Sequence, residues 1–267
     1  MWLGERYLDC CRADCCGIEM SDSAEKRRLD AELVRRGLAS SRSQAQAAIA
    51  AGKVVVAGKL ATRAGQQVSA IVDIQYEPPH PWASRAGLKL AHGLEVFDVP
   101  VAGRICLDVG ASTGGFTDVL LTRGASRVIA VDVGRSQFLE RLKSDPRVVS
   151  MEGTDARSLT AEILGETPDV VVCDASFIGL SKVLDVPLSL AADAADLVAL
   201  FKPQFEVGPD NVGRGGLVTD RVATDEAAQA TADWLQGKGW RISAWADSPI
   251  LGGDGNRERL FHAVRMR

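Results

Sequence analysis

The sequence predicts an α/β protein in which a small α+β domain precedes a doubly wound, mainly parallel sheet. Three observations support this fold class. Apolar segments of strand length alternate with helical segments through the C-terminal part of the chain, which is typical of a parallel sheet. A glycine-rich turn at 108–115 connects a short apolar strand to a helix. A stretch at 78–83 rich in proline separates a basic N-terminal segment from the rest, and we interpret it as a linker.

Composition sets the broad class of the protein. The chain has 267 residues, 46% of them hydrophobic, and a formal net charge of −4, which is ordinary for a globular protein. No apolar run reaches the roughly 18 residues of a membrane span and no signal peptide is evident, so we expect a cytoplasmic protein.

The six cysteines divide into two groups. Four form adjacent pairs near the start of the chain, without the usual spacing of zinc ligands. We therefore interpret residues 1–25 as a disordered or non-native extension, with a metal site as the weaker alternative. Cys106 and Cys173 lie in apolar strands, and we expect them to be reduced core residues.

The charge and apolar spacing of residues 26–77 predict a compact first domain. Between Lys26 and Arg63 there are nine basic residues and two acids, a local net charge of +7. Such a concentration is typical of nucleic-acid-binding modules, although a solvated charged face is the alternative. Apolar spacing predicts two helices, the second capped by Ser40 or Ser41, followed by short strands that we expect to form one sheet.

The stretch RLDAELVRRGLASSRSQAQAAIAAGKVVVAGK, Arg28 to Lys59, resembles the S4 RNA-binding domain. In that family, two helices present basic side chains to structured RNA. The resemblance implies four RNA-contact residues here, namely Lys26, Arg28, Arg42 and Arg63.

The alternation of strand-length and helical segments over residues 84–267 predicts a second, larger domain. We expect seven strands, at 105–107, 127–133, 148–151, 169–173, 197–201, 240–246 and 259–264. Helices are expected at 83–97, 116–121, 137–143, 159–164, 180–195 and 220–238, the fifth broken at Pro187.

The strand ends predict a ligand site at the carboxyl edge of the sheet. The glycine-rich turn lacks the spacing of a dinucleotide fingerprint or a P-loop, but Asp132 follows 24 residues after Asp108, where an acid can bind ribose hydroxyls. We therefore predict a nucleotide-like cofactor. Asp155 is either a contact to its base or a helix cap. Asp174 and Lys202 form either a plain ion pair or part of a proton-accepting site.

Five motifs occur along the second domain in this order: SRAGLKL, LDVGASTGGFT, DVVVCDASFI, LFKPQFEVG and GNRE. Together they resemble the FtsJ-type S-adenosylmethionine-dependent RNA 2′-O-methyltransferases. With the basic N-terminal domain added, the whole chain resembles the TlyA branch of that family. The resemblance implies a Rossmann-like class I methyltransferase that uses S-adenosyl-L-methionine to methylate cytidine 2′-hydroxyls of small- or large-subunit ribosomal RNA. Some members of this family are also labelled hemolysins.

The resemblance also assigns site residues. The catalytic tetrad falls on Lys89, Asp174, Lys202 and Glu258, with Lys202 as general base, although composition alone would make Lys89 a surface lysine. The residues expected to bind the cofactor are Gly110, Ser112, Thr113, Gly114, Gly115, Phe116, Asp132, Asp155, Ala156 and Asp174. Arg85, in the first motif, is a further RNA-contact candidate.

Other functions stay open at this stage. The chain could be a non-catalytic RNA-binding or ribosome-assembly factor, a membrane-active hemolysin, or a methyltransferase for proteins or small molecules. The expected partner is ribosomal RNA or a ribosomal subunit, with no obligate protein partner evident. The methyl transfer that the resemblance implies requires no metal ion.

Overall fold

A computed structural model describes residues 26–39 and 41–266. The chain forms two compact units, the first ending at Pro79 and the second beginning at His80. The paired cysteines lie outside the described residues, as does Ser40.

Within residues 26–39 and 41–79, the first unit contains two short helices and five short strands. In chain order these are β1 (Lys26–Arg28), α1 (Leu29–Arg35), α2 (Arg42–Ala50), β2 (Val54–Val56), β3 (Lys59–Leu60), β4 (Gln67–Ser69) and β5 (Ile74–Tyr76). Ser41 caps α2, because its Oγ accepts a hydrogen bond of 3.2 Å from Gln44 N. Leu29, Leu33 and Ile49 are buried in the core between these elements.

The prediction of a single sheet in this unit is wrong. β1 pairs antiparallel with β4, while β2 lies between β3 and β5 in a separate three-stranded sheet. β1 was not predicted because its sequence, Lys-Arg-Arg, has no apolar residue to indicate a buried face.

The second unit contains the remaining elements. They are α3 (Ala86–Val96), β6 (Ile105–Val109), α4 (Gly115–Thr122), β7 (Arg127–Asp132), α5 (Glu140–Lys143), β8 (Val148–Glu152), α6 (Ala161–Leu164), β9 (Val170–Cys173), α7 (Leu180–Val183), α8 (Asp185–Ser189), β10 (Asp196–Phe201), α9 (Pro203–Glu206), α10 (Arg221–Gly237), β11 (Trp240–Asp247) and β12 (Arg259–Arg265). Short 3₁₀ turns occur at Ala156–Ser158, Pro209–Asn211 and Arg214–Gly216.

The seven strands of this unit form one sheet in the order β11-β12-β10-β9-β6-β7-β8. β6 to β10 are parallel, and β12 is antiparallel to both of its neighbours. The predicted seven-stranded, mainly parallel sheet is therefore confirmed. Because β12 is reversed, the residue just before it lies at the same edge as residues just after the parallel strands.

Both faces of the sheet are covered, as a doubly wound fold requires. Apolar side chains of α3, α4 and α5 pack on one face, where Cys106 is buried. Those of α6, α7, α8 and α10 pack on the other, where Cys173 is buried. Both cysteines are free, as expected.

The predicted break at Pro187 is wrong. α7 and α8 are separated at Leu184, and Pro187 lies in the first turn of α8. A proline is tolerated there because its missing N–H would have no acceptor within the helix. None of the helices in the described ranges is both long and apolar enough to cross a bilayer.

Candidate active site at the carboxyl edge of the sheet

The glycine-rich turn between β6 and α4 makes a close backbone approach. Gly110 has a φ of 84°, and a Cβ added to it would lie 2.9 Å from both N and Cα of Ala175. Only glycine allows the turn to approach the segment after β9 this closely. Gly114 has a φ of 96° and lies against Leu142 and Phe138, so its role is in the turn rather than in a cavity wall.

A first cavity of about 570 Å³ opens beside this turn. It is lined by six of the residues predicted to bind a cofactor, namely Gly110, Ser112, Asp132, Asp155, Ala156 and Asp174. Its volume lies within the range of small-molecule pockets.

Asp132 is fixed at the end of β7 by backbone donors. Its Oδ2 accepts from Ser112 N at 2.8 Å, and its Oδ1 accepts from Gly134 N at 2.6 Å. A carboxylate has about four lone-pair positions, so two backbone bonds leave capacity for hydroxyl donors of a ligand.

Asp155 is a helix cap, one of its two expected roles. Its Oδ1 accepts from Arg157 N at 2.9 Å, and the Arg157 guanidinium also binds the carboxylate. This guanidinium lowers the pKa of Asp155 below its usual value. Ala156 is buried directly after it and forms part of the same wall.

A second cavity, of about 500 Å³, adjoins the first. All four tetrad residues line it, although they come from different elements spread along the chain. Thr113, Gly115 and Phe116, predicted to contact the cofactor, also line this second cavity, and the side chain of Phe116 is buried in the core.

Lys202 follows β10 and is buried against three oxygen atoms. Its Nζ lies 2.6 Å from Asp174 Oδ1 in an ion pair, and it donates to Asp174 O at 3.0 Å and to Ser176 Oγ at 2.8 Å. Sequence reasoning missed Ser176, although it lies within the DVVVCDASFI motif.

Lys89 is buried on α3, where its Nζ donates to Glu258 Oε2. The composition-based prediction of a surface lysine is therefore wrong. Glu258 reaches this edge because it immediately precedes the reversed strand β12. Its loop is held by Asn256, which accepts from Val218 N at 2.9 Å and donates to Gly216 O at 2.8 Å.

The two cavities share a wall, formed by Gly110, Ser112, Asp174, Ser176 and Phe177. Phe177 stands out because the residue is 92% exposed and its φ is 66°. Its ring lies 5.4 Å from that of Phe205. An exposed aromatic at a cavity mouth offers a stacking surface, and sequence reasoning did not single it out.

Two acids near the shared wall have raised pKa values. Burial raises the pKa of Asp108, whose Oδ2 accepts from Thr117 Oγ1 at 2.7 Å beneath the turn, to about 7. Burial also raises the pKa of Glu206 to about 7. Glu206 Oε1 accepts from Leu180 N at 2.8 Å, which fastens the segment carrying Phe177 to α9.

The predicted RNA contacts fall in both units. Arg85 lines the second cavity. Lys26 and Arg63 are exposed in the first unit, and Arg28 and Arg42 are partly exposed there and bind Asp30. Over the described ranges, there is no cluster of three or more histidine, cysteine or acidic side chains suited to a metal ion.

Comparison with known proteins identifies the family of the second unit and the type of the first. Residues 82–265 match the FtsJ-like methyltransferase model, and residues 27–70 match the S4 domain model. The chain belongs to the FtsJ-like methyltransferase family.

Relatives of this FtsJ-like methyltransferase include proteins of similar length. It is 48% identical to the 16S/23S rRNA (cytidine-2′-O)-methyltransferase TlyA of Mycobacterium tuberculosis, across 88% of each chain. It is 37% identical to Hemolysin A of Brachyspira hyodysenteriae, across 89% of this chain and 99% of that one. A solved structure from Streptococcus thermophilus, whose hemolysin designation is provisional, has a TM-score of 0.72 at 34% identity and covers 91% and 90% of the two chains.

Proposed function

We propose that this protein transfers the methyl group of S-adenosyl-L-methionine to a ribose 2′-hydroxyl of ribosomal RNA, at cytidine. One observation carries the proposal: a nucleotide-sized cavity and a cavity with two buried lysine–carboxylate pairs share the wall that contains Asp174. Membership of the FtsJ-like family and the S4 match support the cofactor and the RNA substrate. The cytoplasm, where ribosomes are assembled, is the proposed location.

The first cavity fits the adenosyl part of this cofactor. Asp132 retains acceptor capacity for ribose hydroxyls, and Ala156 provides an apolar wall for a flat base. Gly110 and Ser112 bring backbone close to the boundary with the second cavity. When bound, the cofactor supplies a sulfonium methyl group, which is already an activated electrophile.

The protein's own task is to place the ribose oxygen and remove its proton. Lys202 is the proposed base, and Lys89, held by Glu258, donates to the hydroxyl oxygen and orients it. Lys202 Nζ donates to Asp174 O and Ser176 Oγ and lies in ion-pair contact with Asp174 Oδ1. An ammonium has no lone pair, so Lys202 can accept the hydroxyl proton only in its neutral form. Alignment and general-base catalysis of this kind typically contribute several kcal/mol and about 10²–10⁴-fold respectively.

The mouth of the second cavity would hold the surrounding nucleotides. Phe177 offers an aromatic face on which a splayed base can stack, and Arg85 can donate to a phosphate. Neither interaction requires a particular base, so both would serve binding rather than sequence choice.

Transfer of tritium from labelled cofactor to small- and large-subunit ribosomal RNA, offered free and as subunits, tests the proposal. Lys202→Ala should lower turnover by at least about 10²-fold while calorimetry shows the cofactor still bound. Lys182→Ala, which removes an exposed lysine of α7, is the matched control and should keep wild-type turnover.

Two outcomes would contradict this reading. Near wild-type turnover of Lys202→Ala would remove Lys202 from the base role. A wild-type protein that binds cofactor and RNA but transfers no methyl group would favour a non-catalytic assembly factor instead.

A further inference from the structure

The first unit buries both acids of its basic segment. Between Lys26 and Arg63 the two acids are Asp30 and Glu32, against nine basic residues. The exposed fraction of each acidic side chain is 0%, and each binds two arginines. The surface of this segment therefore presents its positive charges without an exposed acid among them.

Asp30 is the centre of a dense hydrogen-bond cluster. Arg28 donates to it twice, from Nε to Oδ1 and from Nη2 to Oδ2, both at 3.1 Å. Arg42 Nη2 donates to the same Oδ2 at 3.0 Å, and Gln46 Nε2 at 2.8 Å. Hydrogen bonds from Arg28 are the main reason that the pKa of Asp30 lies far below its usual value, so the carboxylate stays ionised.

Both arginines remain available to a ligand. Their side chains are 48% and 57% exposed. Arg28 uses two of its five N–H groups on Asp30 and Arg42 uses one, which leaves further donors on two partly exposed guanidinium groups that share one carboxylate oxygen.

Glu32 provides a contrast within the same helix. Its arginine partner Arg36 is only 21% exposed and also donates to the carbonyl oxygens of Val72, Ser69 and Ala70. That arginine faces inward and fastens the segment between β4 and β5 to α1. Glu32 thus binds one inward-facing arginine and one arginine, Arg35, whose side chain is 45% exposed, whereas both arginines of Asp30 are exposed.

We propose that Asp30 is a positioning residue that holds Arg28 and Arg42 side by side as a preformed binding site for the phosphate backbone of RNA. The RNA ligand rests on the proposed function, whereas the role of Asp30 is read from these contacts. Arginine binds phosphate best as a fixed, bidentate fork, and a guanidinium that is already immobilised loses less side-chain freedom on binding.

Removal of Asp30 should change RNA affinity in the direction opposite to that expected from charge alone. Removing an acid from an RNA-binding surface normally raises affinity, because phosphate repulsion falls. Asp30→Asn should instead lower affinity by roughly tenfold, because asparagine places an N–H₂ donor at one of the two oxygen positions and releases at least one arginine.

The test uses the full chain and labelled in vitro transcripts of small- and large-subunit ribosomal RNA, with affinity measured by filter binding over a series of salt concentrations. Glu32→Gln is the matched control, since it makes the same charge change in the same helix. We expect Asp30→Asn to bind more weakly than wild type with an unchanged salt slope, since both arginines stay charged. Glu32→Gln should lose less affinity than Asp30→Asn, since only one of its two arginines is exposed. Unfolding of the whole unit would instead remove its phosphate contacts, and affinity would then depend less steeply on salt concentration.

A second variant keeps Asp30 in place. In the double variant Arg28→Lys, Arg42→Lys the net charge is unchanged, but lysine cannot form the bidentate contact. It should also lose roughly tenfold in affinity. This variant decides the question if Asp30→Asn does not fold.

The proposal is overturned if Asp30→Asn binds as tightly as wild type, if both acid variants weaken equally, or if the double lysine variant keeps full affinity. Methyl transfer is measured on the same wild-type preparation. A protein that binds RNA without methylating it would refute the proposed function alone, while a wild-type protein that binds neither transcript would refute the role of Asp30.

Discussion

Gly110→Ala tests the close approach between the glycine-rich turn and the segment after β9. An added Cβ would lie 2.9 Å from Ala175 N and Cα, whereas nonbonded carbons prefer at least about 3.5 Å, so the two backbones must separate by about 0.6 Å. These atoms belong to backbone in the shared wall, and no side chain can rotate away to relieve the contact.

The energetic effect has two parts that a control can separate. A left-handed φ costs a non-glycine residue about 1–2 kcal/mol, and overpacking adds about 1–3 kcal/mol. Gly103 has a φ of 76° with nothing within 4 Å of an added Cβ. Gly103→Ala should therefore show only the first part, a loss of about 1–2 kcal/mol, and Gly110→Ala should show about 2–5 kcal/mol.

Urea unfolding and calorimetric titration with S-adenosyl-L-methionine measure both consequences. Gly110→Ala should lose about tenfold or more in cofactor affinity, equivalent to about 1.4 kcal/mol, while Gly103→Ala should bind like wild type. If the two variants unfold alike and bind cofactor alike, the close approach to Ala175 has no functional weight and the reasoning fails.

Two further predictions concern Glu206 and Phe177. Burial raises the pKa of Glu206 from 4.5 to about 7, so between these pH values the folded state keeps a proton that the unfolded state has lost, and stability falls as pH rises. Glu206→Gln removes this penalty, so the melting temperature of the variant should rise relative to that of wild type as the pH increases from 5 to 8. If the melting temperatures of the two proteins change in parallel with pH, the raised pKa is contradicted. Phe177→Ala should lower kcat/KM for RNA by about 5- to 150-fold, because base stacking on an aromatic ring is worth about 1–3 kcal/mol. Phe177→Trp should restore turnover, and a defect confined to cofactor binding would refute the stacking role.

Local sequence pattern was enough to predict most of the second unit. β6, β7, β9 and β10 of its sheet are largely apolar runs, and buried parallel strands are predicted most easily in that form. The same signal failed for β1, whose Lys-Arg-Arg sequence pairs through its backbone with β4. Pro187 was misread because a proline interrupts a helix only when it lies beyond the first turn.

Side-chain pairing across long sequence distances could not be predicted from pattern alone. Lys89 and Glu258 are 169 residues apart, and no spacing rule connects them. Their expected convergence came from the family resemblance, and the reversed direction of β12 explains how Glu258 reaches this edge. Phe177 was missed because exposure and a left-handed φ are properties of the folded chain. Asp30 likewise appears in sequence as an ordinary helix acid, and its two arginines identify it only in three dimensions.

The shared wall has a consequence for inhibitor chemistry. A molecule that joins an adenosine group to a second nucleoside by a short linker could occupy both cavities at once, crossing beside Asp174 and Ser176. Once one half is bound, the other meets its cavity at an effective concentration that short flexible linkers place in the millimolar range. For a given pair of end groups, linker length would then decide how tightly such a compound is retained.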